Sequence, residues 1–133
     1  MTTRTTRLVM VSMVVVAGVL WLSGCGLLKP GPSQVVRRFM ESVERSELQK
    51  AVELVSTRIR QMLGDGKLKA GLEEQGKQIR ARGGIARITT QSEQVTGDVA
   101  QVSSIVEFKN GSKTNENTKL IKEQNDWKID ADK

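Results

Sequence analysis

Apolar residues along this chain follow two different patterns, one continuous and one periodic. Residues 8–22 form an almost continuous apolar run, LVMVSMVVVAGVLWL. Further along, apolar residues recur at spacings of three and four over about 34–45, over about 47–62 and, more sparsely, over about 67–81. Because one face of an α-helix repeats every three to four residues, these stretches predict three amphipathic helices.

Capping signals agree with these helix positions. Ser33 stands where the N-cap of the first helix is expected, since a serine side chain can accept a hydrogen bond from a backbone amide of the first turn. Ser46 and Gln49 have the spacing of a capping box, which predicts that the second helix begins just after Ser46. The glycines on either side of Asp65 predict the end of the second helix, and the glycine pair 83–84 predicts the end of the third helix.

The chain after residue 84 is rich in Thr, Ser, Val and Ile, and turn signals interrupt it. These signals lie at Gly97, at Asn110-Gly111 and at Asn125-Asp126. Asn-Gly between two extended stretches predicts a β-hairpin, here joining strands over about 98–109 and 112–124. A last strand is expected over about 127–131. Helices first and strands afterwards predict an α+β fold, with the N-terminal helices packed on one face of an antiparallel sheet.

Alternation within the strands predicts which side chains face the helices. The residues expected on that face are Ala100, Val102, Val106, Phe108, Trp127, Ile129 and Ala131. Lys128, Asp130 and Asp132 are expected on the solvent side, and the adjacent Leu120 and Ile121 suggest a bulge or an edge strand. The side chains predicted to be buried together are Phe39, Val55, Val102 and Trp127.

The start of the chain has the features of a secretory signal peptide. Arg4 and Arg7 precede the 15-residue apolar run, and no acidic residue occurs before Cys25. A positive region followed by about 7–15 apolar residues is typical of such peptides. The run is shorter than the roughly 17–25 residues of a membrane-spanning helix, so an uncleaved single-pass anchor is the less favoured alternative.

The sequence Leu22-Ser23-Gly24-Cys25 resembles the lipobox of bacterial lipoproteins. The resemblance implies cleavage between Gly24 and Cys25 and attachment of a diacylglycerol group to the Cys25 thiolate, the nucleophile that this reaction needs. The freed amine is then acylated. Gly26, rather than Asp, follows the cysteine. In a Gram-negative cell this implies a lipid-anchored location at the outer membrane, facing the periplasm.

The chain is therefore expected to have three parts. Residues 1–24 are the signal peptide that is cleaved, residues 25–33 are the lipidated cysteine and a tether with two prolines, and residues 34–133 form a single α+β domain. A domain of about 100 residues is long enough to bury a core of its own.

The composition excludes chemistry that relies on histidine, tyrosine or paired cysteines. The 133 residues contain no His and no Tyr, and Cys25 is the only Cys. A single cysteine allows no internal disulfide and no cysteine-based zinc site. The glycine spacings of nucleotide-binding motifs do not occur either. Among the carboxylates Glu107 is the best single candidate for acid–base work, although strand alternation places it on the solvent side. We expect no metal, no cofactor and no catalytic residue.

Charge is unevenly distributed along the chain. The 21 basic and 15 acidic residues give a formal charge of +6, and residues 58–87 alone hold eight basic and three acidic residues. Lys77, Arg80, Arg82 and Arg87 form a candidate basic patch for anionic lipid headgroups or an acidic partner. The alternative is that these cations lie on ordinary solvated helix faces. Nucleic acid is not an expected partner, because no aromatic residues are interleaved with the cations.

Six short stretches of the chain carry a family resemblance. They are 32–39 (PSQVVRRF), 51–55 (AVELV), 83–85 (GGI), 110–111 (NG), 120–123 (LIKE) and 127–130 (WKID). They resemble bacterial lipoproteins with a nuclear-transport-factor-2-like domain of unknown function, over about residues 32–131. The resemblance implies a cone-shaped fold in which a strongly curved antiparallel sheet wraps around the helices and often leaves a pocket. Enzymes of that superfamily place Asp, His or Tyr in the pocket, and this chain has no His or Tyr to place there.

The sequence thus favours a membrane-anchored envelope lipoprotein that acts as a non-catalytic binding or scaffolding domain for an unknown envelope protein. The alternative is a carrier or sensor of a small apolar ligand, held in a pocket lined by Val102, Phe108 and Trp127. A third class, an enzyme that uses an Asp or Glu in the pocket, is the least favoured. Whether the space between helices and sheet is filled or hollow distinguishes the first two.

Overall fold

Helices come first and strands follow, as the sequence predicts. The computed structural model describes residues 28–131. Within them the helices are α1 (Pro32–Glu44), α2 (Leu48–Glu53), α3 (Thr57–Leu63) and α4 (Asp65–Ala81). The strands are β1 (Ile85–Thr96), β2 (Val99–Phe108), β3 (Lys113–Glu123) and β4 (Asp126–Asp130). The α+β class is confirmed. The predicted signal peptide, its cleavage site and Cys25 lie outside the described residues.

The first helix begins slightly before its predicted start. Pro32 lies in the first turn of α1, where its missing amide costs nothing because the first N–H groups of a helix have no partner within it. Gly31 is the N-cap and no side chain caps the helix, so the predicted capping by Ser33 is wrong. The buried side of α1 carries Val35, Val36, Met40 and Val43.

The stretch predicted as a second helix is two helices. Between α2 and α3, Val55 forms a parallel bridge with Ile129 of β4. The Ser56 amide donates a hydrogen bond to the Ile129 carbonyl oxygen at 2.8 Å. The fully buried Ser56 then caps α3 by accepting a hydrogen bond from the Ile59 amide at 3.3 Å. This pairing of distant residues breaks a helix that the apolar spacing alone would continue.

The predicted capping box at the start of α2 is also wrong. Ser46 has a φ of 56°, in the left-handed region, and no side chain caps α2. The Ser46 hydroxyl instead accepts a hydrogen bond from the Arg80 guanidinium at 2.8 Å, and the Gln49 amide group donates to Glu53. A tertiary contact with α4 therefore takes the place of the local cap.

α4 confirms the predicted third helix and crosses α1 at a glycine. Leu68, Leu72 and Ile79 are buried as expected. Gly76 is buried on the same side, and a Cβ atom there would lie 2.6 Å from the Val43 carbonyl oxygen of α1. Only a glycine allows the two backbones this close an approach.

The four strands form one antiparallel sheet in the order β1-β2-β3-β4. The predicted hairpin is confirmed, since β2 and β3 pair along their length. The Asn110 carboxamide closes the turn by accepting a hydrogen bond from the Ser112 amide at 3.0 Å. Gly111 has a φ of 88°, a conformation that glycine adopts without steric cost.

Leu120 and Ile121 lie in a regular central strand, so the suggested bulge or edge is wrong. β3 pairs with β2 on one side and with β4 on the other, and the register runs unbroken through both residues. Leu120 is 0% exposed, whereas Ile121 on the opposite face is half-buried. Because both faces of this strand bury apolar surface, two apolar residues are adjacent without a bulge.

Several predicted positions of core and surface residues need correction. Val55 and Val102 are buried in the core, but Phe39 and Trp127 are only partly buried and pack against it. Asp130, expected on the solvent side, is 8% exposed. Its carboxylate lies against the start of α3, where the Ser56 and Arg58 side chains donate hydrogen bonds to it and so compensate for its burial.

Candidate functional site

The predicted basic patch is divided among several internal contacts. Arg80 links α4 to the end of α1: its guanidinium donates to the Glu44 carbonyl oxygen at 2.9 Å and to Ser46 Oγ at 2.8 Å. It also pairs with Glu73 at 2.9 Å. Arg80 is therefore mainly a structural residue rather than a free cation.

The other three residues of the patch face different neighbours. The Arg82 guanidinium lies 4.8 Å from the centre of the Phe108 ring and donates to Thr114 Oγ1 at 3.1 Å. Arg87 lies 4.0 Å from a Glu107 oxygen on the opposite side of the sheet from the helices. Lys77 is exposed on α4. The structure thus does not bring the four cations together around one ligand.

The three residues suggested for a pocket lining are also separated. Val102 is enclosed in the core. Phe108 lines a cavity of only about 120 Å³ between α4, α1 and β3. Trp127 packs against the edge of the core, with the Lys122 ammonium 4.9 Å from its ring centre.

Two carboxylates outside the core, Glu107 and Asp65, are held in their charged form by neighbouring cations. Lys113 lies 2.8 Å from Glu107, and its hydrogen bond and charge, with a smaller effect of Arg87, hold the pKa of Glu107 below its ordinary value. Two hydrogen bonds from Arg60 likewise lower the pKa of Asp65. Because a carboxyl with a lowered pKa is a weaker base, neither group is suited to take a proton from a substrate.

Asp130 joins β4 to α3. Ser56 Oγ donates to one carboxylate oxygen at 2.7 Å, and Arg58 donates to the other at 2.8 Å. Burial acts to raise the pKa of Asp130, but the hydrogen bonds from Arg58 and Ser56, together with the charge of Arg58, outweigh it and hold this pKa below its ordinary value. The cluster therefore stabilises the fold and makes Asp130 a weak base.

This lowered pKa predicts a pH dependence of stability. On acidification the unfolded chain binds the Asp130 proton first, so the stabilisation is complete above the ordinary pKa of about 4 and is lost as the pH falls through the lower pKa of the folded state. We expect Asp130→Asn to lower the unfolding free energy at pH 7, with a difference from wild type that shrinks below about pH 4. Urea unfolding across this pH range measures it.

An exposed pair gives the matched control. Asp126 and Lys29 are 3.0 Å apart, with about half of each side chain exposed. Exposed ion pairs contribute little because water and salt screen them. Asp126→Asn should therefore change the unfolding free energy little at any pH. A constant difference between wild type and Asp130→Asn down to strongly acid pH would contradict the proposed role of the carboxylate.

A groove of about 420 Å³ between α1, α2 and β4 is the best candidate site. It is lined by Arg38, Glu41, Ser42, Arg45, Lys50, Glu53, Leu54 and Lys128. The lining thus has four basic and two acidic side chains. Basic residues that converge on a concave surface attract anionic ligands.

The two arginines of the groove are its most available charges. Arg38 lies in α1 and Arg45 is the C-cap residue of this helix, seven positions later, so both lie on the same side of it. Both are exposed, and neither side chain forms an ion pair or hydrogen bond with any residue among 28–131. Lys50 pairs with Glu47 at 2.9 Å, so it is less available.

Lys128 closes the groove from the sheet. Its ammonium donates to the Glu53 carbonyl oxygen at 2.6 Å, a contact that leaves its positive charge without a carboxylate partner. Sequence reasoning missed this group, because Lys128 lies 83 residues after Arg45. The spacing of the two arginines on one helix face was the only local signal.

A neighbouring groove of about 440 Å³ shares Glu53 and Lys128 with the first groove, but its other charged residues already have partners. Glu123 accepts hydrogen bonds from the Thr57 amide and hydroxyl at 2.9 and 2.8 Å. Arg60 is bound to Asp65, and Asp126 is paired with Lys29. The groove that contains Arg38 and Arg45 is therefore the better place for a charged ligand.

The described residues hold neither a cluster of metal ligands nor a membrane-spanning helix. Between Leu28 and Ala131 no three His, Cys, Asp or Glu side chains come close enough together to hold a metal ion. In the same range no helix has the length and apolar character needed to cross a membrane.

Comparison with solved structures identifies the fold. A Campylobacter jejuni protein named "Putative NTF2-like transpeptidase" is 15% identical, with a TM-score of 0.67 over 75% of this chain and 97% of that one. A SEC-C motif containing protein from Rhodopseudomonas palustris is 14% identical, with a TM-score of 0.54 over 75% of each chain. The fold is therefore NTF2-like, as the sequence resemblance implies. At these identities the likeness concerns the fold alone.

Comparison of sequences gives the family. No curated protein matches the chain. Residues 23–130 match the family described as Domain of unknown function (DUF4878). Since this match covers most of the sequence, the chain belongs to the DUF4878 family.

Proposed function

We propose that this protein is a lipid-anchored envelope protein whose folded domain binds an acidic segment of a partner protein without catalysing a reaction. The observation that carries the proposal is the groove of α1, α2 and β4, in which Arg38 and Arg45 have no partner within the described chain. Charged side chains that are exposed and unpaired attract a complementary surface and set its orientation. The open shape of the groove suits a protein segment better than an enclosed small molecule.

The anchor in this proposal is Cys25. Its support comes from the sequence, in which LSGC follows a 15-residue apolar run and two arginines. Several acyl chains at one cysteine give lasting attachment, because each buried CH₂ contributes about 0.8 kcal/mol and one chain alone binds only weakly. With Gly26 after the cysteine, we propose the outer membrane of a Gram-negative cell, with the domain in the periplasm.

The non-catalytic part of the proposal is supported by the side chains that an enzyme would need. The Campylobacter jejuni neighbour bears a transpeptidase name, and acyl transfer of that kind requires a nucleophile beside a base. In this chain the only cysteine is the proposed lipid site, and no histidine exists. The closest serine–carboxylate contact, Ser56 with Asp130, involves a carboxyl whose pKa is lowered.

The alternative of a carrier for a small apolar ligand needs a hollow space under a strongly curved sheet. The cavity beside Phe108 has a volume of about 120 Å³, whereas small-molecule sites usually occupy about 300–1,000 Å³. Core side chains such as Val102 fill the region that the ligand would need. These observations favour the protein-binding alternative.

The groove is tested by comparing partners of two variants that carry the same change of charge. The full-length chain with Arg38→Gln and Arg45→Gln should lose its main cross-linked envelope partner. The control, Lys67→Gln with Lys77→Gln, removes two exposed cations of α4 and should keep that partner. Quantitative mass spectrometry after cross-linking in intact cells measures both.

The salt dependence of the recovered complex gives a second measurement. Because exposed charges are screened within about 8–10 Å at physiological ionic strength, raising the salt concentration should weaken the complex of wild type. Equal recovery of the partner with both variants, or recovery that salt does not change, would contradict binding through the groove.

A further inference from the structure

The described chain enters the domain at one end of the sheet. Lys29 pairs with Asp126 at the start of β4, at 3.0 Å, and the Ser33 amide donates to Glu93 near the end of β1, at 3.0 Å. Two turns lie at this end, after β1 and after β3, and the Lys122 amide joins them by donating to the Asp98 carbonyl at 2.8 Å. We refer to residues 95–99 and 123–126 as the turn end.

The segment between the proposed lipid site and the turn end is short. Lys29 is the fourth residue after Cys25, and a chain extends at most about 3.6 Å per residue, or about 14 Å over these four steps. β1 has 12 residues and is therefore about 40 Å long. A lipid on Cys25 consequently holds the turn end close to the bilayer, and the β2–β3 turn lies about 40 Å from the turn end.

Apolar side chains are exposed at this same end. The large exposed apolar residues among 28–131 are Leu28, Met62, Leu63, Val95 and Val99. Val95 (52% exposed) and Val99 (40% exposed) flank the β1–β2 turn, where no helix of residues 28–131 covers the sheet. Leu28 (88% exposed) precedes Lys29. The register puts these two valines on opposite faces of the sheet beside the turn, so a surface that meets the turn end-on can contact both. Exposed apolar groups mark contacts with a partner or a membrane.

We infer that the turn end of the domain rests on the bilayer surface, with Val95 and Val99 in contact with lipid. The inference rests on the proposed anchor at Cys25, which supplies the proximity. The contact is apolar rather than electrostatic, because the turn end carries the acids Asp98, Glu123 and Asp126 and no basic residue that could attract anionic headgroups. It fixes the domain upright, so that the β2–β3 turn at the opposite end of the sheet points away from the membrane.

The test places an environment-sensitive dye on single cysteines of the full-length, lipidated protein in phosphatidylcholine vesicles. Lipid on the Cys25 sulfur blocks its reaction, so the dye reports only the added cysteine. Val95→Cys should give blue-shifted emission that is quenched by a lipid-borne quencher. Ala86→Cys is the matched control on the same strand, about 30 Å away, exposed like Val95, and should report water. Thr96→Cys serves as a second position if Val95→Cys fails to fold.

Each outcome decides a different question. Emission from residue 95 or 96 that equals emission from residue 86 overturns the contact with lipid, while the anchor stands. Labelling of Cys25 itself, together with an unlipidated mass for its peptide, overturns the anchor and with it the inference. Blue-shifted emission from residue 95 or 96 that does not change in high salt supports an apolar contact.

Discussion

Leu120→Ala should lower the free energy of unfolding by about 2–5 kcal/mol, the cost usual for removing buried leucine atoms and leaving a cavity. Leu120 is completely buried in β3. It stands opposite Ala100 of β2 and Ile129 of β4 on the helix-facing side of the sheet. Neighbours fixed by two strand pairings cannot easily collapse into the vacated space. Urea unfolding at neutral pH measures the change.

Ile121→Ala is the matched control, since it removes a side chain of the same size from the next residue. Ile121 is half-buried on the other face of the strand, and substitutions away from the core usually cost about 1 kcal/mol or less. If the two variants lost the same stability, Leu120 would not hold the central position that we describe.

Gly76→Ala should lower the unfolding free energy by about 1–3 kcal/mol, the usual cost of overpacking. The added Cβ would meet the Val43 carbonyl oxygen at 2.6 Å and an Arg80 guanidinium nitrogen at 2.9 Å. Since the first contact is with backbone, no side-chain rotation relieves it, and α4 must move away from α1. This cost exceeds the gain of about 1 kcal/mol that alanine brings to a helix interior.

Gly71→Ala should have the opposite sign. Gly71 lies in the same helix, but nothing is within 4 Å of a Cβ atom placed there. Only the propensity gain of up to about 1 kcal/mol then remains. Thermal unfolding of both variants measures the pair. A stabilised Gly76→Ala variant would show that α1 and α4 do not approach as closely as their backbones indicate.

Elements with local signals could be predicted from the sequence. α1 and α4 follow from apolar spacing, and the β2–β3 hairpin follows from Asn110-Gly111 between extended stretches. The break between α2 and α3 could not, because the bridge of Val55 to Ile129 joins residues 74 positions apart. An unbroken helix period hides a contact of that kind.

Contacts between distant residues also explain why the sequence does not predict the surroundings of the charged side chains. Lys77, Arg80, Arg82 and Arg87 are close in sequence, but the fold gives them different neighbours, so their summed charge does not describe one surface. The groove combines Arg38 and Arg45 of α1 with a lysine of β4. Only the α1 pair has a pattern that is visible along the chain.

Asp130 shows how alternation can mislead. The period of two places it opposite Trp127 and Ile129, on the face that a simple sheet exposes to solvent. The segment beside β4 covers that position, however, and supplies the Ser56 and Arg58 donors. The burial of this carboxylate depends on α3, which the strand pattern does not contain.

Lipid on Cys25 is the central claim, because both the location of the domain and its orientation depend on it. The direct measurement is the mass of the N-terminal peptide from protein purified from cell membranes, with Cys25→Ala as control. We expect a wild-type peptide that begins at Cys25 and carries acyl chains, and an unprocessed, lipid-free Cys25→Ala chain. A wild-type peptide that retains residues before Cys25, or a Cys25 without lipid, would contradict the claim.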